Sequence, residues 1–243
     1  MPSFIKRGLR KVLTPRLWDY TSVEYQCGRL SFSQFGEDVI AGLCFSRGFK
    51  GFYVDVGAFH PMSLSNTYNF YRQGWRGVAI DANPEVAGLF ARFRPQDVFV
   101  HSAVGRDKGQ IEMALFAEGA FNCSSDQIAS VPEDVRKTMR LIKVPLNTLA
   151  AILASQNVRE VDFLSIDCEG NDLNVLLSND WSRWRPKVIC VEDHAEDWQQ
   201  SETVRFLGSV SYTLKYRAVF SSIFIPEQIA GEHSGSRGLQ AIV

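Results

Sequence analysis

Short apolar runs alternate with helix-like stretches along most of this chain, and this alternation restricts the possible fold more than any other feature. Residues 51–59 (GFYVDVGAF) are typical of a strand buried on both faces. Runs with strand character are 51–59, 77–82, 98–104, 109–116, 162–166, 188–191, 213–219 and 222–225. Helical patterns between them are 65–74, 83–95, 147–155, 171–177 and 203–207. The alternation predicts an α/β domain with a mostly parallel sheet.

The last two strand-like runs, 213–219 and 222–225, are separated by only two residues. Parallel neighbours need a crossover of a dozen or more residues, so these two strands are predicted to pair antiparallel. The segment 117–133 is rich in Ser, Asn, Asp, Gly and Pro and has no clear period. It is predicted to be a long loop that lies over the ligand-binding site of the domain.

The composition is that of a globular protein, with 45% hydrophobic and 22% charged residues among 243. We expect residues 51–243 to form the α/β domain and residues 1–50 to form a helical N-terminal appendage. The formal net charge of -1 provides no overall field that attracts nucleic acid. Nucleic acid is therefore not an expected partner.

The cysteines and the apolar runs bear on location. Five cysteines without a CxxC pair are expected to be reduced thiols. No apolar run is long enough for a membrane span or a signal peptide, which predicts a cytoplasmic protein. The first twenty residues nevertheless interleave basic side chains, from Lys6 to Arg16, with apolar ones. This pattern suits peripheral contact with an anionic membrane or a helix packed on the domain edge.

The ends of the predicted strands are the candidate ligand site, because open α/β sheets bind ligands beyond the carboxyl ends of their strands. Gly57 permits close backbone approach, and Asp81 is placed where a carboxylate can bind the ribose hydroxyls of an adenosine. Each residue alone is also compatible with a simple turn. The glycines of a dinucleotide loop do not follow Gly57, which argues against NAD and for a cofactor without phosphates.

Six motifs occur in an order that resembles the FkbM family of S-adenosylmethionine-dependent methyltransferases, from about Ser31 to Phe224. They are SQFGED (33–38), VDVGA (54–58), SNT (65–67), GWRG (74–77), DANP (81–84) and IDCEG (166–170). The resemblance implies a Rossmann-like class I fold: a mostly parallel seven-stranded sheet with one antiparallel strand and helices on both faces. It also implies S-adenosylmethionine as the cofactor.

The resemblance assigns the cofactor to residues at or near the strand ends. They are Asp55, Gly57 and Asn66 for the methionine portion, Asp81 for the ribose, and Ser102 with Ala103 for the adenine edge. The SQFGED motif is also compatible with a helix start, in which Ser33 is the N-cap and Glu37 and Asp38 lie near the positive end of the helix dipole.

Asp167, Glu169, Asp193 and His194 follow two later strands and are expected to converge beside the transferred methyl group. We predict His194, Asp167 and Glu169 as catalytic residues, since a hydroxyl reacts as its proton leaves and imidazole accepts protons near neutral pH. The alternatives are a turn that caps the next helix for the two carboxylates and a structural hydrogen bond for His194. His60 is a weaker candidate base. Mg²⁺ suits an oxygen-rich cluster, but the spacing is not diagnostic and no metal ligand is assigned.

These features predict a methyltransferase that acts on a hydroxyl of a sugar or another small metabolite. N- or carboxyl-methylation is an alternative, because the acceptor pocket is expected to lie in loops such as 117–133. Two other classes are a NAD-dependent oxidoreductase, disfavoured by the missing glycines, and a non-catalytic adenosine-binding adaptor held at a membrane by the basic N-terminus.

Overall fold

Strands and helices alternate along most of the computed structural model, which describes residues 29–117 and 119–227. The strands are β1 Phe52–Val56, β2 Arg76–Asp81, β3 Val98–His101, β4 Ala103–Val104, β5 Gly109–Leu115, β6 Cys123–Ser124, β7 Arg140–Asn147, β8 Phe163–Ile166, β9 Val188–Glu192, β10 Tyr212–Ala218 and β11 Ser221–Pro226. The α-helices are α1 Glu37–Gly42, α2 Tyr68–Arg72, α3 Ala87–Phe93, α4 Glu133–Arg136, α5 Leu149–Ser155, α6 Asp172–Leu177 and α7 Glu202–Ser209. Short 3-10 turns are Pro84–Val86, Gly119–Phe121, Ser125–Ser130 and Trp198–Gln200.

The larger sheet has the strand order β10-β11-β9-β8-β1-β2-β3. β1 is parallel to β2 and β8, β2 is parallel to β3, and β8 is parallel to β9. β11 is antiparallel to both of its neighbours, β9 and β10. The predicted seven-stranded, mostly parallel sheet and its C-terminal hairpin are therefore confirmed. The order also brings the ends of β2, β1, β8 and β9 to one edge, where a site can form.

Helices cover both faces of this sheet because each central strand is apolar on both sides. On one face, Val54 and Leu164 lie in a cluster with Leu149 of α5, Leu176 of α6 and Leu207 of α7. On the other face, Tyr53 and Phe163 pack with Ala41 of α1 and Phe70 of α2. Full burial of a Leu or Phe side chain contributes about 1.5–3 kcal/mol, so these two layers hold the strand ends rigidly in place.

A second sheet, β4-β7-β5-β6, follows β3. The sequence predicts β5 but not β7, whose charged and proline residues interrupt any strand-like run (RLIKVPLN). The predicted loop 117–133 is more ordered than expected: it contains two 3-10 turns and β6. The reason is a small apolar cluster in which Phe121 and Ile128 pack with Phe116 and Val131.

The start of α1 differs from the prediction. Its N-cap is Gly36, with a φ of 89°, and not Ser33. The Ser33 hydroxyl accepts the Asp38 backbone N–H at 3.3 Å and donates to Asp38 Oδ1 at 2.9 Å. Ser33 thus still satisfies one free N–H group of the first helical turn, which is the physical task of a cap.

A compact unit begins at Phe32 and includes α1, which lies within the predicted appendage of residues 1–50. The basic N-terminal pattern between Lys6 and Arg16 lies outside the described residues, as does Cys27. The four cysteines within them, Cys44, Cys123, Cys168 and Cys190, are free. Among the helices in the described ranges, none has both the length and the apolar character needed to cross a membrane.

Candidate active site

A cavity of about 460 Å³ opens where β1, β2, β8 and β9 end. Residues of the large sheet and its loops form one side of the cavity. Ile111, Met113 and Leu115 of β5 form another wall, because alternate residues of a strand point to the same side. Gly57, Asn66, Asp81, Ser102 and Ala103, all predicted to bind the cofactor, line this cavity. So do Asp167, Glu169 and His194, all predicted to be catalytic.

Gly57 allows the closest approach in the site. Its φ is +77°, and a Cβ atom built on it would lie 1.7 Å from the carbonyl oxygen of Asp167. Its N–H donates to the Ile80 carbonyl at 3.0 Å. A glycine is therefore required here by the neighbouring backbone at the end of β8, and its presence lets three strand ends meet at one point.

Asp81 ends β2 and holds the loop that follows β1. Its Oδ2 accepts the Phe59 N–H at 2.7 Å, and its Oδ1 accepts the Asn83 N–H at 2.7 Å. Burial raises the pKa of Asp81, and the two backbone hydrogen bonds oppose this shift. Because a carboxylate has about four lone-pair positions, both oxygens retain capacity for hydroxyl donors from a ligand.

Asn66 and Ser102 both line the cavity, and the side chain of each is held by hydrogen bonds. Asn66 Nδ2 donates to Ser165 Oγ at 3.1 Å. The Ser102 hydroxyl lies 2.7 Å from the Ala103 carbonyl and 3.2 Å from the Pro145 carbonyl, and accepts from Asn147 Nδ2 at 3.1 Å. Ser102 is thus joined to β7, so the second sheet is attached at the edge of the site.

Asp55 is placed differently from the other predicted cofactor residues, because it is buried and does not line the cavity. It accepts from the Thr67 hydroxyl at 2.5 Å and lies 3.9 Å from Arg94 Nη1. Burial raises the pKa of Asp55, and the Arg94 charge and the Thr67 hydrogen bond oppose this shift. The Asp55 carboxylate therefore holds Thr67, the residue after Asn66, and contributes to the site through this buried hydrogen bond.

The ends of β8 and β9 bring carboxyl groups and an imidazole together, as predicted, with one replacement. Glu192, the last residue of β9, was not among the predicted site residues but lines the cavity, with its Oε1 3.1 Å from His194 Nε2. Asp193 does not line the cavity: its Oδ1 accepts the Ala195 N–H at 3.0 Å. Consecutive side chains of an extended chain point to opposite faces, which explains why Glu192 and His194 line the cavity and Asp193, between them, does not.

Mutual repulsion and burial both act on this cluster. The pKa of Asp167 is well above its usual range because the group is buried and because Glu192, Asp172 and Glu169 are close. Burial, with the charges of Glu192 and Asp172, raises the pKa of Glu169 to about 7. Like charges close together disfavour one another's ionisation, most strongly at the buried Asp167 and less at Glu169, which is exposed to solvent. The cluster therefore holds exchangeable protons in the physiological range.

A tight turn follows β8, but no side chain caps α6, whose N-cap is Asn171. Asp172, at the start of α6, accepts the N–H of Cys168 at 2.8 Å and that of Gly170 at 3.1 Å. The side chains of Asp167 and Glu169 are not used as caps, and both line the cavity. Glu169 has a φ of 49° within this tight turn, which turns the chain from β8 into α6.

The sequence pattern of the methyltransferase FkbM domain matches residues 55–217. This range contains most of the cavity lining and all of the predicted site residues. The chain belongs to the FkbM methyltransferase family. None of the curated proteins matches it.

Solved structures of other methyltransferases are similar to this FkbM-family chain at low identity. The methyltransferase FkbM from Methylobacillus flagellatus is 12% identical with a TM-score of 0.46, over 85% of this chain and 47% of that one. This chain thus spans about half the length of that protein. A TehB-like SAM-dependent methyltransferase from Corynebacterium glutamicum is 10% identical with a TM-score of 0.41, over 93% and 100% of the two chains. The 1,6-didemethyltoxoflavin-N1-methyltransferase of Burkholderia thailandensis, with S-adenosylhomocysteine bound, is 15% identical with a TM-score of 0.40, over 93% and 88%.

The sequence did not single out several cavity residues of this FkbM-family chain. Gln34 and Glu37 reach the site from the segment before β1. Glu37 is almost fully buried, and its carboxylate accepts the Phe35 N–H at 2.8 Å and the Ser221 hydroxyl at 3.3 Å. In the sequence, only the SQFGED motif indicated that Gln34 and Glu37 belong to a site, and this motif is equally typical of a helix start. Among the described residues, no group of three or more His, Cys, Asp or Glu is arranged to hold a metal ion.

Proposed function

We propose that this FkbM-family methyltransferase uses S-adenosylmethionine to methylate a hydroxyl group of a sugar or a related small metabolite. One observation carries the proposal. A single cavity joins the glycine and carboxylate at the ends of β1 and β2 to the Glu192–His194 pair at the end of β9. A cofactor held at the first part and an acceptor held at the second would meet inside one cavity.

The residues of the first part fit an adenosine cofactor without phosphates. Asp81 has free lone pairs for two ribose hydroxyls, Ser102 and Ala103 lie where the adenine edge is expected, and Gly57 and Asn66 are left for the methionine portion. The volume of about 460 Å³ is within the usual range of small-molecule sites. When bound, S-adenosylmethionine supplies an electrophilic methyl group on a sulfonium.

The second part supplies a base. Glu192 Oε1 lies 3.1 Å from His194 Nε2, so Nε2 faces a carboxylate and Nδ1 is the ring nitrogen that would accept a proton. His194 would accept the proton of an acceptor hydroxyl bound beside it, and the Glu192 carboxylate would stabilise the imidazolium that forms. The remaining requirement is an in-line approach, which the rigid strand ends favour.

The test is calorimetric titration of the purified full chain with S-adenosylmethionine, S-adenosylhomocysteine and NAD in parallel. We expect the first two to bind and NAD not to bind. Turnover is then measured as S-adenosylhomocysteine released in the presence of sugars and small hydroxylated compounds. Binding of NAD would support the oxidoreductase alternative instead. Cofactor binding together with methylation of amines or carboxylates only would overturn the hydroxyl assignment.

A further inference from the structure

The part of the cavity beside His194 has an excess of carboxyl groups. Glu37, Asp167, Glu169 and Glu192 all line the cavity. None of the described residues that line it is a lysine or an arginine. Crowding raises the pKa values of Asp167 and Glu169, and His194 is the one basic side chain among the described residues of the lining. A ligand that brings a positive charge would relieve this repulsion, and a ligand that brings a negative charge would increase it.

Glu192 has an oxygen that requires a donor. The side chain is only 10% exposed, and Oε1 is used by His194. Oε2 is buried and has no hydrogen-bond partner among the protein atoms. A buried acceptor without a donor is costly, and the cost is larger for a charged group. Protonated Asp167 can donate to Glu192, and this hydrogen bond is one reason why the pKa of Asp167 is raised. A ligand ammonium group can replace that proton, because it brings both an N–H donor and a positive charge to Glu192.

An aromatic ring completes this part of the cavity. Phe220 lines it, with its ring centroid 5.0 Å from that of His194 and 5.6 Å from that of Phe35. Phe220 is 42% exposed, so part of the residue is accessible to a ligand. Aromatic faces attract ammonium groups through their quadrupole. Carboxylates beside an open aromatic face are a combination that suits a cation and not an anion.

We propose that the acceptor of this enzyme carries a protonated amine close to the reacting hydroxyl, and that Glu192 binds this amine. Acceptors with a phosphate or carboxylate at that position are rejected by the same carboxyl groups. An amino sugar is the simplest compound of this class. The inference rests on the proposed function, since it assumes that the cavity holds an acceptor beside a bound cofactor.

The experiment uses the full chain saturated with S-adenosylhomocysteine at pH 7, after calorimetry has shown that this product binds. Dissociation constants are measured by saturation-transfer NMR for glucosamine, glucose and glucuronate, and for galactosamine, galactose and galacturonate. We expect each amine to bind about tenfold or more tightly than its neutral counterpart, and each anion to bind more weakly still. S-adenosylhomocysteine carries the amino-acid portion of the cofactor, so a Glu192 already occupied by that amino group gives no amine preference.

Two variants locate the effect. Glu192→Gln keeps the size of the side chain and removes its charge, and we expect it to reduce the amine preference to less than about threefold. Glu196→Gln removes a charge from an exposed residue four positions away that does not line the cavity, and we expect it to preserve the preference. Calorimetry with S-adenosylhomocysteine checks that each variant is folded.

The outcomes separate this proposal from the proposed function. If S-adenosylhomocysteine does not bind to the wild-type protein, the proposed function fails, and this inference fails with it. If it binds but the amines bind no better than the neutral sugars, or none of the six binds, only the amine inference is overturned. An amine preference that survives Glu192→Gln also overturns it, because the preference then comes from another group.

Discussion

At the scale of single residues, Asp81 has the clearest assigned task. Its carboxylate holds two backbone N–H groups and would also bind the cofactor ribose. We expect Asp81→Asn to weaken S-adenosylmethionine binding by about ten- to a hundredfold, because charge-assisted hydrogen bonds of about 1.5–3 kcal/mol are lost. Calorimetry measures this loss. Asp107→Asn, at an exposed position outside the cavity, should bind normally, and equal binding by both variants would refute the ribose assignment.

His194 is tested by separating turnover from binding. We expect His194→Ala to lower the turnover number by about a hundredfold or more while the affinity for S-adenosylmethionine changes little, since a positioned base contributes about 10²–10⁴ to the rate. His60→Ala is the comparison, because His60 Nδ1 already accepts the N–H groups of Met62 and Ser63. Greater loss of turnover in His60→Ala than in His194→Ala would show that the base is misassigned.

Gly57 gives a prediction about stability. A methyl group there would collide with the Asp167 carbonyl, and the φ of +77° is unfavourable for any other residue. We expect Gly57→Ala to lower the free energy of unfolding by about 3 kcal/mol, and thermal melting measures this. Gly88→Ala is the control, since nothing lies within 4 Å of the added Cβ and the position is in α3. Gly88→Ala should be neutral or stabilising by about 0.5–1 kcal/mol. Equal destabilisation by the two substitutions would contradict the requirement for glycine at position 57.

At the scale of elements, Arg94 joins the end of α3 to β1. Its side chain is fully buried, with Nε 2.7 Å from Asp97 and Nη1 3.9 Å from Asp55. We expect Arg94→Met to destabilise the protein by about 3–5 kcal/mol, because two buried carboxylates lose their cation. Chemical denaturation measures this change. Arg92→Met, on an exposed face of α3, should cost less than about 0.5 kcal/mol, and similar losses in the two variants would refute the role of Arg94.

The sequence predicts those strands and helices that are determined by the residues within them. The strands β1, β2, β8 and β9 are short apolar runs, and the two-residue connection between β10 and β11 permits only an antiparallel pair. β7 is different, because it contains Arg, Lys and Pro residues and is held as a strand by pairing with β5 from Arg140 to Leu146. Such long-range pairing leaves no local period in the sequence, so the second sheet and its wall of the cavity could not be predicted.

The same distinction applies to the candidate site. Gly57 and Asp81 could be found because strand ends can be read from the sequence, and parallel strands bring their ends to one edge. The role of Glu192 could not be found, since it depends on which face of β9 the last residue points to. The position of Glu37 depends on contact with Ser221, which is 184 residues away in the chain. Such pairings arise only when the whole domain folds.

At the scale of the whole molecule, the crowded carboxyl groups give stability a defined pH dependence. The pKa values of Glu169 and Asp172 are raised to about 7 and about 6, mainly by burial. The folded state therefore binds more protons than the unfolded state between about pH 4 and pH 7, so stability falls as pH rises through this window. We expect the melting temperature of the ligand-free protein to decrease from pH 5 to pH 8. Glu169→Gln should make this decrease shallower, whereas Glu196→Gln should leave it unchanged. A melting temperature that is constant or rises over this range would mean that the cluster is already neutralised.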